Sequence, residues 1–434
     1  MNHEFEIVVI GAGPAGIAAA VSAAEHDMRV ALVDDNPSAG GQIWRTNQGE
    51  SNQDHSHGST AAEWRNRLRN ANITSLHGWS VFDQIAPRAL CAESRGEMAE
   101  IRFDKLILAT GARERFLPFP GWTLPGVIGV GALQAMVKTG LPIRDARVVI
   151  AGSGPLLLAI ASALQSAGAR VICICEQASV TRLAPFALSL AAFPGKIAEG
   201  LRYKVATRRT PYHTSSWPIR ATGTDRLQEV TLSIGGKHRT IPCDYLACGF
   251  HLVPNVELPA LLGCTLADGA VLIDEWQCTS IQDVYCAGEP TGISGLELSL
   301  IEGQIAGLAA ALHEEKARSL FTQRRKYRGF ARRLAAAFAL RPELKTLPEE
   351  STLLCRCEDV PYGAVRRHHS WRSAKLQTRC GMGPCQGRVC GSAAEFLLGW
   401  TADYTRPPIF PVAVSSLACL QSDRNANIEH THAI

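Results

Sequence analysis

FEIVVIGAGPAGIAAAVSAAEHDMRVALVD, residues 5–34, decides the fold. FEIVVI is an unbroken, mostly apolar run of the kind that forms a buried parallel strand, and RVALVD is a second one. The alanine-rich segment between them predicts a helix, so the stretch reads as one βαβ unit. Gly11, Gly13, Pro14 and Gly16 lie in the turn that joins strand to helix. Gly11 permits the tight turn, Gly13 lets the backbone approach a pyrophosphate, and Gly16 allows helix and strand to pack closely. The start of the helix then faces the phosphates. Asp34 ends the second strand, where a carboxylate can hold a ribose hydroxyl. An ordinary glycine turn is the bland alternative, and the strand–turn–helix context weighs against it.

Further along, ARVVIAGSGPLLLAIASALQSAGARVICICE, residues 146–176, repeats the unit. Gly152 and Gly154 fit the pattern, but the third glycine position is Leu157. Leucine there forces the helix away from the strand or alters how a pyrophosphate sits. Glu176 ends the following strand and is placed to bind a ribose, and no arginine follows at once to welcome a 2′-phosphate. Three outcomes stay open for this second site: NAD turns over, a nucleotide such as NAD or ATP is held structurally, or the site only packs the fold.

The chain has 434 residues, 46% hydrophobic and 19% charged, which suits about three packed domains. A net charge of +4 is too small to argue for nucleic acid or an acidic membrane surface. No run of about 18 uncharged apolar residues predicts a transmembrane helix. The start, MNHEFEIVVIGAG, does not read as a signal peptide. The fourteen cysteines are therefore expected to stay reduced in a cytoplasmic protein, as core residues or metal ligands. Residues 46–60, with His55 and His57, read as an exposed loop. Residues 227–248 alternate like antiparallel strands, and 316–341 is basic and helical.

Five of the six cysteines in the last fifth of the chain crowd residues 355–390: Cys355 and Cys357 in CRCEDV, and Cys380, Cys385 and Cys390 in TRCGMGPCQGRVC. Cys355, Cys357, Cys380 and Cys385 supply four thiolates for an iron–sulfur cluster or a zinc ion. Cys355 and Cys357 are expected to start a helix. Cys390 falls on the helix that follows and reads as a small buried residue. If the nucleotide at the first turn is a flavin, it needs a one-electron outlet, which favours [2Fe–2S], since zinc carries no redox chemistry. Cys173, Cys175, Cys243 and Cys248 read as core residues. No cysteine pair follows GGQ in the first domain, so disulfide-reductase chemistry is disfavoured.

GAGPAG, GGQIWR (40–45), LATGARER (108–115) and VYCAGE (284–289) resemble the two-dinucleotide-fold flavoproteins that include the disulfide reductases. The resemblance implies FAD in the first site, with Gly41 and Gln42 near the flavin and Thr110 and Gly111 bordering the adenine side. Glu289, after Gly288, would meet the ribityl hydroxyls where the family usually has Asp. The cysteine segment resembles the [2Fe–2S] module related to bacterioferritin-associated ferredoxin, which usually closes with CxxC where this chain has CxxxxC. The fusion of both is similar to a narrower group: the alpha subunit of bacterial D-hydroxyproline dehydrogenase, the A-type subunit of opine oxidase and the B-type subunit of hydrogen cyanide synthase.

The expected architecture is thus α/β, with two Rossmann-like domains and a small helical cluster module. A discontinuous FAD domain takes 1–116 and 252–315, a second dinucleotide domain 117–251, a helical linker 316–350, the [2Fe–2S] module 351–420 and a tail 421–434. The narrower resemblance implies an electron-transfer subunit of a heteromeric amino- or imino-acid dehydrogenase. Its partner would be a D-amino-acid-oxidase-like flavoprotein, with a small ferredoxin-like subunit and an interface FMN as further candidates. Electrons would pass to a quinone or other acceptor, with the complex peripheral on the inner membrane. The competing reading is a stand-alone NAD(P)H:acceptor reductase. A third is an iron-storage or redox-sensing interaction protein. No side chain reads as a general base.

Overall fold

The computed structural model describes residues 2–44, 58–401 and 405–418. His55, His57 and the tail after Gln421 lie outside the described residues. Gly58–Asn70 is a helix, so the last three residues of the expected loop are helical.

The chain falls into two compact units. Residues 1–112, 254–328 and 404–434 make the first, and 113–253 with 329–403 the second. The cysteine segment belongs to the second unit by its contacts.

The first unit is built on a seven-stranded sheet. Strand Asn2–Ile10 lies at its centre, paired in parallel with Val30–Asp34 on one side and with Glu97–Leu108 on the other. Ile73–His77 extends the parallel part beyond Val30–Asp34. Val284–Cys286 returns from far along the chain to pair in parallel with Glu97–Leu108. Ser80–Ala86 and Ala89–Ser94 form the antiparallel edge. Parallel strands lie on both sides of Asn2–Ile10, and sheets of this kind bind ligands at the carboxyl ends of the strands where the order reverses.

Helix Pro14–Ala24 covers this sheet and packs on helix Leu296–Ala310. Both are buried nearly all round, and both are rich in alanine and glycine. Their backbones approach so closely that a Cβ on Gly303 would lie 2.2 Å from the Ala15 carbonyl oxygen, and one on Gly307 the same distance from that of Ala19.

The second unit holds a five-stranded parallel sheet in the order Tyr212–His213, Arg170–Glu176, Arg147–Ser153, Tyr245–Phe250, Val127–Gly129. Ser216–Thr222, Glu229–Ile234 and Lys237–Pro242 form a separate antiparallel sheet. The antiparallel expectation for 227–248 therefore holds for Glu229–Ile234 and Lys237–Pro242 but not for Tyr245–Phe250. That strand is apolar on both faces and is covered on both, so it joins the parallel sheet. The basic stretch expected to be helical contains helices Glu314–Ser319 and Phe321–Ala337. Among the described residues no helix is long and apolar enough to cross a membrane.

Alanine is the better helix former by about 1 kcal/mol, yet Gly303→Ala should destabilise the first unit by about 1–3 kcal/mol, because overpacking against a fixed carbonyl outweighs propensity. Urea unfolding followed by the fluorescence of this unit checks the sign. A raised midpoint would mean that the two helices separate freely.

Candidate flavin and cysteine sites

At the first glycine turn, Gly11 has φ +104°, and a Cβ there would lie 2.2 Å from the Ala109 carbonyl oxygen. A Cβ on Gly16 would stand 1.7 Å from the Gly11 carbonyl oxygen. Nothing lies within 4 Å of where a Gly13 Cβ would be. The turn is thus crowded on its sheet side and open at Gly13, which is what a pyrophosphate needs. Gly13 caps the helix and Pro14 occupies its first turn. Asp34 is buried, and its carboxylate accepts from the Ala12 amide and from both the backbone and side-chain nitrogens of Asn36. Most of its hydrogen-bonding capacity therefore fixes the turn, and one acceptor position is left.

Other predicted residues gather around the same turn. Gly41 lies against it: a Cβ there would lie 2.9 Å from Gly13 Cα. The Gly40 amide donates to the Ala12 carbonyl at 2.8 Å. Gln42 is exposed. Thr110 Oγ1 donates to the Asn255 carbonyl at 2.6 Å, Asn255 Nδ2 returns a bond to the Thr110 carbonyl at 2.9 Å, and the Asn255 amide bonds the Gly111 carbonyl. Gly288, at φ +79°, packs against Ala15. The Glu289 carboxylate meets no hydrogen-bond donor among the described residues, and burial pushes it up to about 7. A half-buried carboxylate without a donor fits the hydroxyls of a flavin's ribityl chain.

Glu302 and Arg328 escaped the sequence reading. Glu302 is 1% exposed. Its Oε1 takes Arg328 Nε and Nη2 at 3.0 and 2.9 Å, and its Oε2 takes the Gly288 amide and the Thr291 hydroxyl. This pair holds the turn that carries Glu289. The available signal was an acid, Glu302, in the middle of the largely apolar helix LELSLIEGQIAGLAA.

The second turn differs. Gly152 is as crowded as Gly11, with a Cβ position 2.0 Å from the Gly249 carbonyl oxygen. Leu157 is 1% exposed and packs with Val130, Ile150 and Ile160. Gly249 on the neighbouring strand leaves the room: a Cβ there would lie 2.6 Å from Val130 and 3.6 Å from Leu157. The helix starts at Leu156, so Pro155 caps it, whereas Pro14 lies inside the first helix. It opens with a tight bond from the Leu157 amide to the Gly154 carbonyl at 3.2 Å; the first turn has a full α-helical bond, Ile17 to Gly13.

Glu176 is fully buried and accepts from the amides of Gly154 and Ala178 at 2.7 and 2.8 Å. The Ser153 hydroxyl donates to the Phe338 carbonyl at 2.8 Å, and Gln177 Nε2 donates to the same oxygen at 3.1 Å. His251 Nε2 lies 2.6 Å from that oxygen. Gln177 Oε1 accepts the Arg341 amide at 3.1 Å. The polar groups of this turn are thus spent on the chain's own segment 338–341.

In the cysteine segment the expected helix at Cys355 is instead a short strand, Leu353–Cys355, paired with Val360–Pro361. Only Tyr362–Val365 is helical there. The Sγ atoms of Cys355, Cys380 and Cys390 lie within 4.8 Å of one another. Cys357 and Cys385 lie outside that buried group of three, with Cys385 interacting with both Cys390 and Cys357. Cys390 is therefore more than a packing residue. It is the first residue of helix Cys390–Leu398, and a helical Cβ tilts toward the helix start, here toward the cysteine loop. Cys357 is exposed, Cys385 half-buried and the other three buried.

Hydrogen bonds from Cys380 and Cys390 hold the Cys355 thiol down near 2, and one from Cys390 lowers Cys385 to about 5. The donors move the opposite way: Cys380 rises to about 12 against Cys355, and Cys390 is raised by the same bond and those to Cys380 and Cys385. Backbone amides of Gly381 and Glu358 point at Cys355, and those of Val389 and Gly387 at Cys385. Gathered sulfurs that share protons, backed by amides, suit a metal centre.

Cys173 and Cys175 lie 4.0 Å apart in the core of the second unit. Burial pushes Cys243 up to about 12 and Cys278 to about 11, and it raises Cys248 and Cys286 as well. Burial therefore favours the protonated thiol at Cys243, Cys248, Cys278 and Cys286.

Residues 5–311 match the family described as pyridine nucleotide-disulphide oxidoreductase. The A-type subunit of opine oxidase from Rhizobium meliloti (strain 1021) is 32% identical, over 96% of this chain and 99% of that protein. The HcnB subunit of hydrogen cyanide synthase from Pseudomonas protegens is 30% identical, over 88% and 89%. L-proline dehydrogenase from P. horikoshii shares the fold with a TM-score of 0.65 at 19% identity, over 96% of this chain and 80% of that one. T. acidophilum thioredoxin reductase, also at 19% identity, superposes with a TM-score of 0.55 over 72% of this chain and 99% of its own.

Two buried acids make these geometries testable. Arg328→Leu leaves Glu302 buried without its cation and should cost about 3 kcal/mol of the first unit's stability, read by urea unfolding. For Glu176, burial raises the carboxyl from 4.5 to about 7. The folded chain then keeps a proton that the unfolded chain releases, so stability falls as pH rises from about 4.5 to about 7 and levels off above. The second unit's unfolding midpoint should follow that course, and Glu176→Gln should flatten it; an unchanged slope would show that the acid is ionised throughout.

The chain belongs to the pyridine nucleotide-disulphide oxidoreductase family, as a flavin-dependent oxidoreductase of the kind represented by the A-type subunit of opine oxidase and the HcnB subunit of hydrogen cyanide synthase.

Proposed function

We propose that this chain is the electron-transfer subunit of a heteromeric dehydrogenase that oxidises an amino or imino acid. The observation that carries the reading is the buried thiol group Cys355, Cys380 and Cys390, with Cys357 and Cys385 in the same segment, in a chain whose flavin turn lacks a dithiol among the described residues. Relatives named as subunits of opine oxidase and of hydrogen cyanide synthase support a partner.

FAD at the first turn would supply two-electron chemistry, and a [2Fe–2S] cluster would supply a one-electron outlet. In the proposed reaction the substrate's C–N bond loses two electrons and two protons on a D-amino-acid-oxidase-like partner and becomes an imine. A quinone or similar acceptor takes up the electrons. Gly11, Gly13, Pro14, Gly16, Asp34, Gly41, Gln42, Thr110, Gly111, Gly288 and Glu289 are proposed to bind the FAD. Of these, Gly13 leaves the space for the pyrophosphate, and Glu289 accepts from the ribityl chain. The cluster would take four of Cys355, Cys357, Cys380, Cys385 and Cys390. Backbone amides aimed at Cys355 and Cys385 would raise its potential.

The second turn, with Gly152, Gly154 and Glu176, is assigned a structural role. Ser153 and Gln177 are engaged by residues 338–341, which leaves them unavailable to a nicotinamide nucleotide.

The purified complex should contain FAD, with iron and acid-labile sulfide in equal amounts. Zinc without iron would overturn the cluster assignment. Among the five single Cys→Ser variants, four should lose iron and one should keep it. Stoichiometric NADH should leave the flavin oxidised, whereas the partner's amino-acid substrate should bleach it. Rapid bleaching by NADH would favour a stand-alone reductase. Full amino-acid oxidation by the isolated chain would remove the need for a partner.

A further inference from the structure

Between strands Arg170–Glu176 and Tyr212–His213 of the second sheet the crossover is a pair of helices, Val180–Ser189 and Pro194–Ala206, joined by the short turn Leu190–Ala192. Neither helix contains a buried residue. The pair is anchored by its aromatics. Phe186 lies 5.8 Å from Phe330 and 5.7 Å from Phe338, and Phe193, at the joint, lies 4.9 Å from Phe330. With one side so fixed, the other faces solvent.

That outer side is apolar. Val180 is 63% exposed, Leu188 79%, Leu201 59% and Val205 65%, with Ile197 at 37%. Ile197, Leu201 and Val205 recur every four residues and share one helix face. Exposed aliphatic side chains concentrated in this way mark a contact surface.

Charge decides what the contact is. Residues 180–209 carry six basic side chains against the single acid Glu199, a net +5, while the whole chain is +4. The rest of the molecule is thus close to neutral, and the cationic excess sits on the apolar segment. Glu199 is itself bonded by Lys196 at 3.0 Å. Lys204 is seven residues beyond Ile197, so it shares the apolar face, and Arg208 follows four residues later. A protein partner's interface core disfavours lysine. At a bilayer, lysine and arginine extend their stems along the apolar layer and place their charges among the phosphates.

We propose that the helix pair 180–206, with Arg208 and Arg209, is a membrane-surface contact for anionic phospholipid. The aliphatic residues would enter the boundary between headgroups and acyl chains, and the basic residues would meet the lipid phosphates. Unlike the electron-transfer reading, this needs neither a second protein nor a cluster.

The test is sedimentation of the full chain with two kinds of vesicle, phosphatidylcholine alone and phosphatidylcholine with phosphatidylglycerol. Binding is expected only to the second, weakening as salt rises. Replacing Lys204, Arg208 and Arg209 together with serine should weaken it by about 100-fold, and Leu188→Ser with Leu201→Ser should also weaken it. Retained flavin and an unchanged circular dichroism spectrum would show that both variants are folded. Failure to bind anionic vesicles, equal binding to both kinds, or binding indifferent to both sets of substitutions would overturn the proposal. Loss of assembly with the partner protein in the leucine variant without any vesicle binding would instead assign the face to a protein.

Discussion

The first unit depends on how closely backbone can approach backbone around helix Pro14–Ala24. At its start, Gly16 lies where any side chain would strike the Gly11 carbonyl; along its length, Gly303 and Gly307 let a second helix rest on the carbonyls of Ala15 and Ala19. Helices in such contact exclude water from their shared face and fix each other's position along the axis. The second helix carries Glu302, which with Arg328 holds the Gly288–Glu289 turn. The first glycine turn and the carboxylate proposed for the ribityl chain are therefore positioned by one packing contact, although they are far apart in sequence.

The two dinucleotide turns share the first two glycines and the proline of the pattern and differ at the third glycine position. Where Gly16 permits the first helix to begin at the sheet, Leu157 needs space that Gly249 provides, and the second helix begins one residue later with a tighter first bond. In the first turn the position beside Gly13 stays open. In the second, Ser153, Gln177 and His251 converge on the Phe338 carbonyl. A buried carbonyl that gains several donors is well satisfied, so segment 338–341 is held where a ligand's polar groups would otherwise compete.

In the cysteine segment, sequence spacing located the thiols but not their grouping. CxC was expected at a helix start and lies at the end of a strand, because Leu353–Cys355 finds a partner in Val360–Pro361. Cys390 looked like a core residue, being small and on an apolar helix. Its position at the first residue of that helix turns it toward the loop, which no spacing rule expresses. Glu302 and Arg328 stayed hidden for a related reason: twenty-six positions separate them, and an acid in an apolar helix announces a partner without saying which.

The sequence by itself determined the doubly repeated α/β architecture, the first glycine turn with its acid Asp34, and the concentration of cysteines near the end of the chain. Those features are written in local patterns: apolar runs set strands, glycines set turns, and residue type sets ligand chemistry. Only the tertiary structure decided that Asp34 and Glu176 spend bonds on their own turns, that residues 338–341 occupy the polar groups of the second, and that Cys390 joins the other thiols. Each of those depends on groups distant in sequence meeting in space, where the need of buried polar atoms for partners selects among contacts that local patterns leave equally open.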